Sequence, residues 1–147
     1  MKTSSPDPQH FFRLAYVSHA VKRFSPAELR HLEEHAQRNN SGQNIHGVLL
    51  TDDSAFLQVL EGPEDAVKDL MCRIWADPRH ERVHVFAEEQ EVASSFQQWS
   101  MSLIDMERRP AALQETFRSM FRIFENTPVR LRLDEKRIRF FQQLATW

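Results

Sequence analysis

One amide stands in an apolar row. In Ala55-Phe56-Leu57-Gln58-Val59-Leu60-Glu61, strand alternation puts Phe56, Gln58 and Leu60 on one face. A buried amide without a partner costs about 1–3 kcal/mol. Neighbouring backbone can satisfy it, or a ligand can; with both a donor and an acceptor, a glutamine bridges two unlike partners. Tyr16, the chain's single tyrosine, shares a face with Phe12 and Leu14 of an earlier segment. It is either a core tyrosine with a satisfied hydroxyl or, if its strand neighbours that of Gln58, a partner for that amide. Asn39-Asn40 ends a helical stretch. Such a pair serves as a C-cap or reads the edge of a planar heterocycle through paired donors and acceptors. Arg73 and Asp77 have the i, i+4 spacing of a surface ion pair, worth about 0.2–0.5 kcal/mol. Trp99, Met101 and Leu103 alternate onto one strand face, a pattern of core as much as of a site.

Other chemistries are excluded. The three glycines, Gly42, Gly47 and Gly62, spell neither a P-loop nor G-x-G-x-x-G. A nucleotide would have to be held by side chains or helix N-termini. The single Cys72 rules out an intrachain disulfide and a multi-cysteine zinc site. It is placed beside the buried stripe of a helix, as an inert thiol. His31 and His35 have metal spacing, but no acid or cysteine completes the set, so no metal is expected. No G-x-S-x-G is present. No apolar run approaches the 18 or more residues of a membrane span. The polar first ten residues lack a signal-peptide core, so a cytoplasmic location is expected. A net charge of -2 argues against direct nucleic-acid binding. That charge is uneven: residues 1–104 hold 10 Lys+Arg and 15 Asp+Glu, residues 105–147 hold 9 and 6. The basic C-terminal surface suits a partner or self-association site, or a solvated helix face.

These residues need elements to position them. Residues 12–17 read as a strand. Ser25-Pro26-Ala27-Glu28 is a capping box that opens a helix with Leu29, Leu32 and Ala36 on one stripe, ending near residues 39–42. Residues 45–50 and 55–61 form a hairpin about Asp52-Asp53-Ser54. A second helix after Gly62-Pro63 buries Val67, Leu70, Met71, Ile74 and Trp75 and ends at Asp77-Pro78-Arg79-His80. Residues 82–87 and 98–104 are strands. The order predicts an α+β, ferredoxin-like β-α-β-β-α-β-β sheet with two helices on one face. The other face is assigned to two C-terminal helices, one with the stripe Leu113, Phe117, Met120, Phe121 and Phe124, the other capped by Asp134 and burying Ile138, Phe141 and Leu144.

Tyr16, Asn39-Asn40, Phe56-Leu57-Gln58-Val59-Leu60-Glu61-Gly62, Asp77-Pro78-Arg79-His80 and Trp99-Ser100-Met101 occur in one order and spacing. The pattern resembles the BLUF family of blue-light sensors using FAD, in its short single-domain form, across roughly residues 12–106. The resemblance implies that Tyr16 donates an electron to the excited flavin and that Gln58 is the switch amide between tyrosine and flavin. It implies that Asn40, with Asn39 beside it, contacts the pyrimidine edge. Arg73 and Asp77 would help hold the cofactor, Arg79 and His80 would meet its phosphate or ribityl part, and Trp99 and Met101 would relay the signal. Three positions depart from the family pattern: His46 for a threonine, Ser54 for a turn glycine and Ser94 for an arginine. None belongs to the Tyr-Gln-Asn set.

The expectation is a photoreceptor, not an enzyme. It binds FAD (FMN and riboflavin being the alternatives) and acts on a downstream regulator protein or through self-assembly as a homo-oligomer, away from membranes. Residues 1–10 are expected as a tail, 11–106 as the flavin domain and 107–147 as a helical cap or output segment. A flavin-dependent oxidoreductase would need a nicotinamide or electron-partner site, and no dinucleotide motif is present. A cofactor-free ferredoxin-like interaction module would need exposed aromatics on an open sheet face.

Overall fold

Ser25 starts the first helix as the sequence requires. Its hydroxyl accepts from the Glu28 backbone N–H while the Glu28 carboxylate accepts from the Ser25 N–H. In the computed structural model, which describes residues 11–146, that helix is α1 (Pro26–Ser41). It follows β1 (Phe11–Ala20) and leads to the hairpin β2 (His46–Thr51) and β3 (Ala55–Gly62). Then come α2 (Glu64–Trp75), β4 (His80–Val92), β5 (Ser100–Asp105), a 3-10 turn over Met106–Arg108, α3 (Ala111–Glu125) and α4 (Glu135–Thr146). The tail expected over residues 1–10 lies outside the described residues.

The sheet order is β4-β1-β3-β2-β5. β1 runs antiparallel to β3 and β4, β2 antiparallel to β3, and β5 parallel to β2. This is the expected α+β arrangement. One face packs Phe12, Leu14, Ile45 and Leu60 beneath α1 and α2, the latter contributing Val67 and Met71. The other packs Val17, Val48, Leu57, Val59 and Phe86 beneath Phe117, Phe121 and Phe124 of α3 and Phe141 and Leu144 of α4. Phe86 and Phe124 stack with centroids 3.9 Å apart. The C-terminal stripes therefore cover the second face, and Asp134 caps α4 through the Arg137 N–H.

The hairpin turn needs no glycine at Ser54. Asp52 Oδ1 accepts from the N–H groups of Ser54 and Ala55 at 2.8 and 2.9 Å, an Asx-type turn. Gly47 is the demanding glycine. Its φ is 154°, and a Cβ there would sit 1.8 Å from the Val59 carbonyl oxygen. Opposite it β5 carries an extra residue. Gly47 pairs Ser100 and Val48 pairs Ser102, so Met101, with φ 112°, forms a bulge.

That bulge overturns one expectation. Trp99 does not share a face with Met101 and Leu103, because the extra residue breaks the alternation. Trp99 precedes β5 and packs by Phe96 against the α3/α4 cluster, whereas Met101 is buried in the α1/α2 cluster. Two further corrections concern α2. Trp75 is 57% exposed rather than buried, and Cys72 is exposed rather than set against the stripe. Each lies one residue past a stripe member, about 100° around the helix. β4 also extends beyond residues 82–87, because its acidic continuation still pairs with β1 as far as Val92 opposite Phe11.

Both sheet edges are covered. On the β4 side, Leu131 makes a one-residue parallel bridge to Ala87, donating to the Phe86 carbonyl and accepting from the Glu88 N–H. On the β5 side, α1 reaches over the strand: Glu33 accepts from the Leu103 N–H and Gln37 donates to the Met101 carbonyl.

Candidate functional site

Between α1 and α2 the sheet forms the floor of a cavity of about 220 Å³. β1 and β3 are adjacent and in a register that pairs Tyr16 with Gln58. The Tyr16 hydroxyl donates to Gln58 Oε1 at 2.5 Å, and Gln58 Nε2 points to Met101 Sδ at 3.3 Å. The amide is thus buried, strongly engaged on its oxygen side and only weakly on its nitrogen side, since a thioether is a poor acceptor. Burial raises the Tyr16 pKa well above the ordinary range. The charge of Asp77 adds to the rise and that of Arg79 opposes it. The phenol is held neutral, as a donor.

The walls come from the helix stripes: Leu32 and Ala36 of α1, Leu70 and Ile74 of α2, with Phe24, Leu49 and Phe56 closing the sides. Asn40 lies at the end of α1, 3% exposed. Its backbone carbonyl accepts from Gln43 and Ile45, which fixes the turn out of the helix. Asn40 lines the cavity. Asn39, beside it, is exposed and borders the cavity, 3.5 Å from the His35 ring.

The mouth is charged. Arg73 and Asp77 both line it, but they do not pair with each other. Asp77 binds Arg79 instead. Nη2 meets Oδ2 at 2.5 Å, Nε reaches both oxygens at 3.0 Å, and the Arg79 N–H donates to Oδ1. The Arg79 hydrogen bonds lower the Asp77 pKa, with desolvation opposing. His80 sits deeper, edge-on to Tyr16 and Phe56. Its Nε2 lies 2.6 Å from the Ile74 carbonyl, which can only accept, so Nε2 carries the proton. In the neutral ring Nδ1 then accepts from the Ser18 hydroxyl at 2.7 Å.

The cavity therefore gathers Tyr16, Asn39, Asn40, Gln58, Arg73, Asp77, Arg79 and His80. Trp99 is not among them, and Met101 reaches the site only through its sulfur contact to Gln58. The sequence reading missed Phe24, Leu49 and His35 as lining residues. The α1 stripe at Leu32 and Ala36 carried a signal that went unused, because an apolar helix face looks the same over a cavity as over a core. Among the described residues no group of His, Cys, Asp or Glu is placed to hold a metal, and His31 only stacks on His35. No helix among the described residues is long and apolar enough to cross a membrane.

Residues 11–102 match the family model described as sensors of blue light using FAD. The chain is similar to the photoactivated adenylate cyclase subunit beta of Euglena gracilis, 45% identical over 46% of this chain and 8% of that protein. It is also similar to the blue light- and temperature-regulated antirepressor BluF of Escherichia coli K12, 30% identical over 88% of this chain and 31% of the relative. It therefore spans less than a third of these curated relatives. Among solved structures, the dark state of BlrB, a BLUF protein, superposes with a TM-score of 0.70 at 25% identity, covering 95% of this chain and 98% of that one.

Proposed function

The chain belongs to the BLUF family of flavin-using blue-light sensors, and from that premise we propose that Tyr16 and Gln58 are its photoactive pair. The observation that carries this reading is the 2.5 Å hydrogen bond from the only tyrosine to a buried amide on the cavity floor.

The residues suit a flavin. Apolar walls from two helices fit a planar aromatic system, and the buried Asn40 amide on the cavity wall offers a donor and an acceptor to a heterocycle edge. The flavin supplies absorption of blue light and, once excited, an acceptor for one electron. Everything else is done by the chain. Tyr16 is the oxidisable group, and its proton already lies on the line to Gln58 Oε1. An electron lost from the phenol makes that proton acidic and passes it to the amide oxygen. When the electron returns to Tyr16 and its phenol oxygen regains a proton, the amide, loosely held at Nε2, is left neutral with donor and acceptor presented differently, by rotation, tautomerisation or both. A rearranged hydrogen bond between groups this buried is worth about 1 kcal/mol or more, enough to bias a neighbouring element between two arrangements.

We read the cofactor as FAD rather than FMN, with Asn39, Asn40 and Gln58 on the ring, and Arg73 and Arg79 at the mouth for the phosphates, Asp77 orienting Arg79. Residues 11–106 act as the flavin domain and 107–147 as its cap and output segment. The output is altered binding to a regulator protein, or altered self-assembly, in the cytoplasm, with Met101 of β5 and Trp99 just before it as the residues that respond.

Release of the bound pigment by heat, followed by chromatography, identifies the flavin. FAD supports the reading of the mouth, and FMN corrects it. Illumination should give a reversible red shift of the flavin band. A colourless folded protein that takes up no flavin would overturn the assignment.

A further inference from the structure

The same two strands carry a second cross-strand pair, three rungs from the first and on the opposite face. β1 and β3 are in a register that sets Arg13 opposite Glu61 just as it sets Tyr16 opposite Gln58. Resting on the photoresponse proposed above, we infer that Arg13, with Glu61 and Glu89, is a positioning residue that passes a change at Tyr16–Gln58 through the sheet to the C-terminal helices.

The three side chains are buried, at 3%, 0% and 6% exposure. Arg13 uses every nitrogen of its fork. Nε and Nη2 donate to Glu61 at 3.2 and 3.1 Å, Nη1 donates to Glu89 at 3.2 Å, and Nη2 also meets the Ala93 carbonyl and the Ser95 hydroxyl. The guanidinium is planar and permanently charged, so its arms move together. Movement of Glu61 relative to β1 must therefore be felt at Glu89.

Each carboxylate has a second hold. Glu61 accepts from the Ser94 hydroxyl and from the N–H groups of Ser95 and Phe96, which fixes the loop that runs into Trp99 and β5. Glu89 accepts from the Leu133 N–H at 3.2 Å and faces Arg132 at 3.5 Å, which fixes the segment leading into α4. Gln142 of α4 donates to the Ser95 carbonyl at 2.6 Å, tying helix and loop together. The route through Met101 leads elsewhere: its carbonyl is held by Gln37 of α1, on the cavity side. The ionic cluster is a buried polar connection that starts on the strands of the photoactive pair and ends on the cap; a second, part-buried one runs from His19 of β1 to Glu125 of α3.

The test uses the full-length flavin-loaded chain and compares wild type with Glu89→Gln, a substitution that touches no cavity residue. Hydrogen exchange is followed in dark and light over residues 93–99 and 130–146, with the flavin red shift recorded on the same samples. We expect Glu89→Gln to keep the red shift and the light–dark difference over 93–99, and to lose the difference over 130–146. A wild-type difference over 130–146 in Glu89→Gln overturns the relay. So does a wild-type chain that red-shifts while residues 130–146 exchange identically in light and dark. If wild type shows no red shift, the photoactive reading falls, and the relay falls with it. A second measurement does not depend on the variant's folding. In wild type labelled at the arginine guanidinium, the light-minus-dark infrared spectrum should carry a guanidinium band, absent from Arg13→Lys. No such band in wild type overturns the proposal.

Discussion

Tyr16–Gln58 and Arg13–Glu61 occupy the same two strands, yet they are built on opposite rules. The first pair is neutral, and one valence of it is loosely spent: Gln58 Nε2 has only a thioether before it. The second is ionic and filled, with Glu61 taking hydrogen bonds from Arg13, a serine hydroxyl and two backbone N–H groups. Turning an amide over exchanges donor for acceptor and changes what its neighbours feel. Turning a carboxylate over changes nothing, because its oxygens are alike. A sheet that must respond on one face and hold on the other is served by an amide on the first and a carboxylate on the second.

The largest effect should come from breaking the filled side. Arg13→Met leaves buried Glu61 without its cation and Glu89 with only the exposed Arg132 at 3.5 Å, and loss of one partner from such a buried pair costs about 3–5 kcal/mol. Urea denaturation measures it; a loss under about 1 kcal/mol, the worth of an exposed pair, would mean the cluster is solvated. The open side should behave in the reverse way. Gln58→Leu and Tyr16→Phe each leave one buried partner unsatisfied and should lower stability by about 1–3 kcal/mol while abolishing the reversible red shift of the bound flavin. A normal light response in either variant would remove the assigned role.

Alkaline titration sharpens the contrast. The native Tyr16 pKa is raised by burial, so the folded state disfavours the phenolate. Its contribution to stability is held below the ordinary tyrosine value of about 10 and is lost as pH rises from there toward the native value. With one tyrosine in the chain, phenolate absorbance reports on this group alone. It should appear near the ordinary value in urea and well above it in the native protein. Denaturation midpoints should fall less between neutral and alkaline pH in Tyr16→Phe than in wild type. The smallest effect is expected from Ser94→Ala, which removes one of several donors to Glu61. That should cost about 1 kcal/mol in urea and leave the red shift unchanged; a cost as large as that of Arg13→Met would show that the contacts are not redundant.

Much of this was legible in the chain. The capping box at Ser25, the alternation around Gln58 and the Phe117–Phe124 stripe are local patterns, and they predicted α1, β3 and α3. The meeting of Tyr16 and Gln58 followed from strand order. Three things were not legible, each for a physical reason. The bulge at Met101 lies in the pairing of β5 with β2, opposite Gly47, and is a matter of register between strands and not of local preference. The exchange of Arg73 for Arg79 as the partner of Asp77 depends on the turn after α2, which folds the Arg79 backbone N–H and guanidinium together onto the Asp77 carboxylate. The Arg13–Glu61–Glu89 cluster was overlooked because two charged residues in apolar strands read as solvent-facing until the C-terminal helices are seen to lie over them.

The bridge from Leu131 to Ala87 has a consequence for how the chain is made. β1, the first described strand, becomes a central strand, and its partners β3 and β4 lie downstream in the chain. A nascent chain leaving the ribosome cannot close the sheet until Val92 has emerged, and it cannot cover the β4 edge until Leu131 follows. Contacts this distant in sequence form slowly, and open strand edges invite pairing with other chains. Synthesis thus passes through an interval in which β4 is made and its edge is bare. The acidic run Glu88-Glu89-Gln90-Glu91 lies along that strand, and like charges on neighbouring nascent chains would keep two such edges apart until Leu131 arrives.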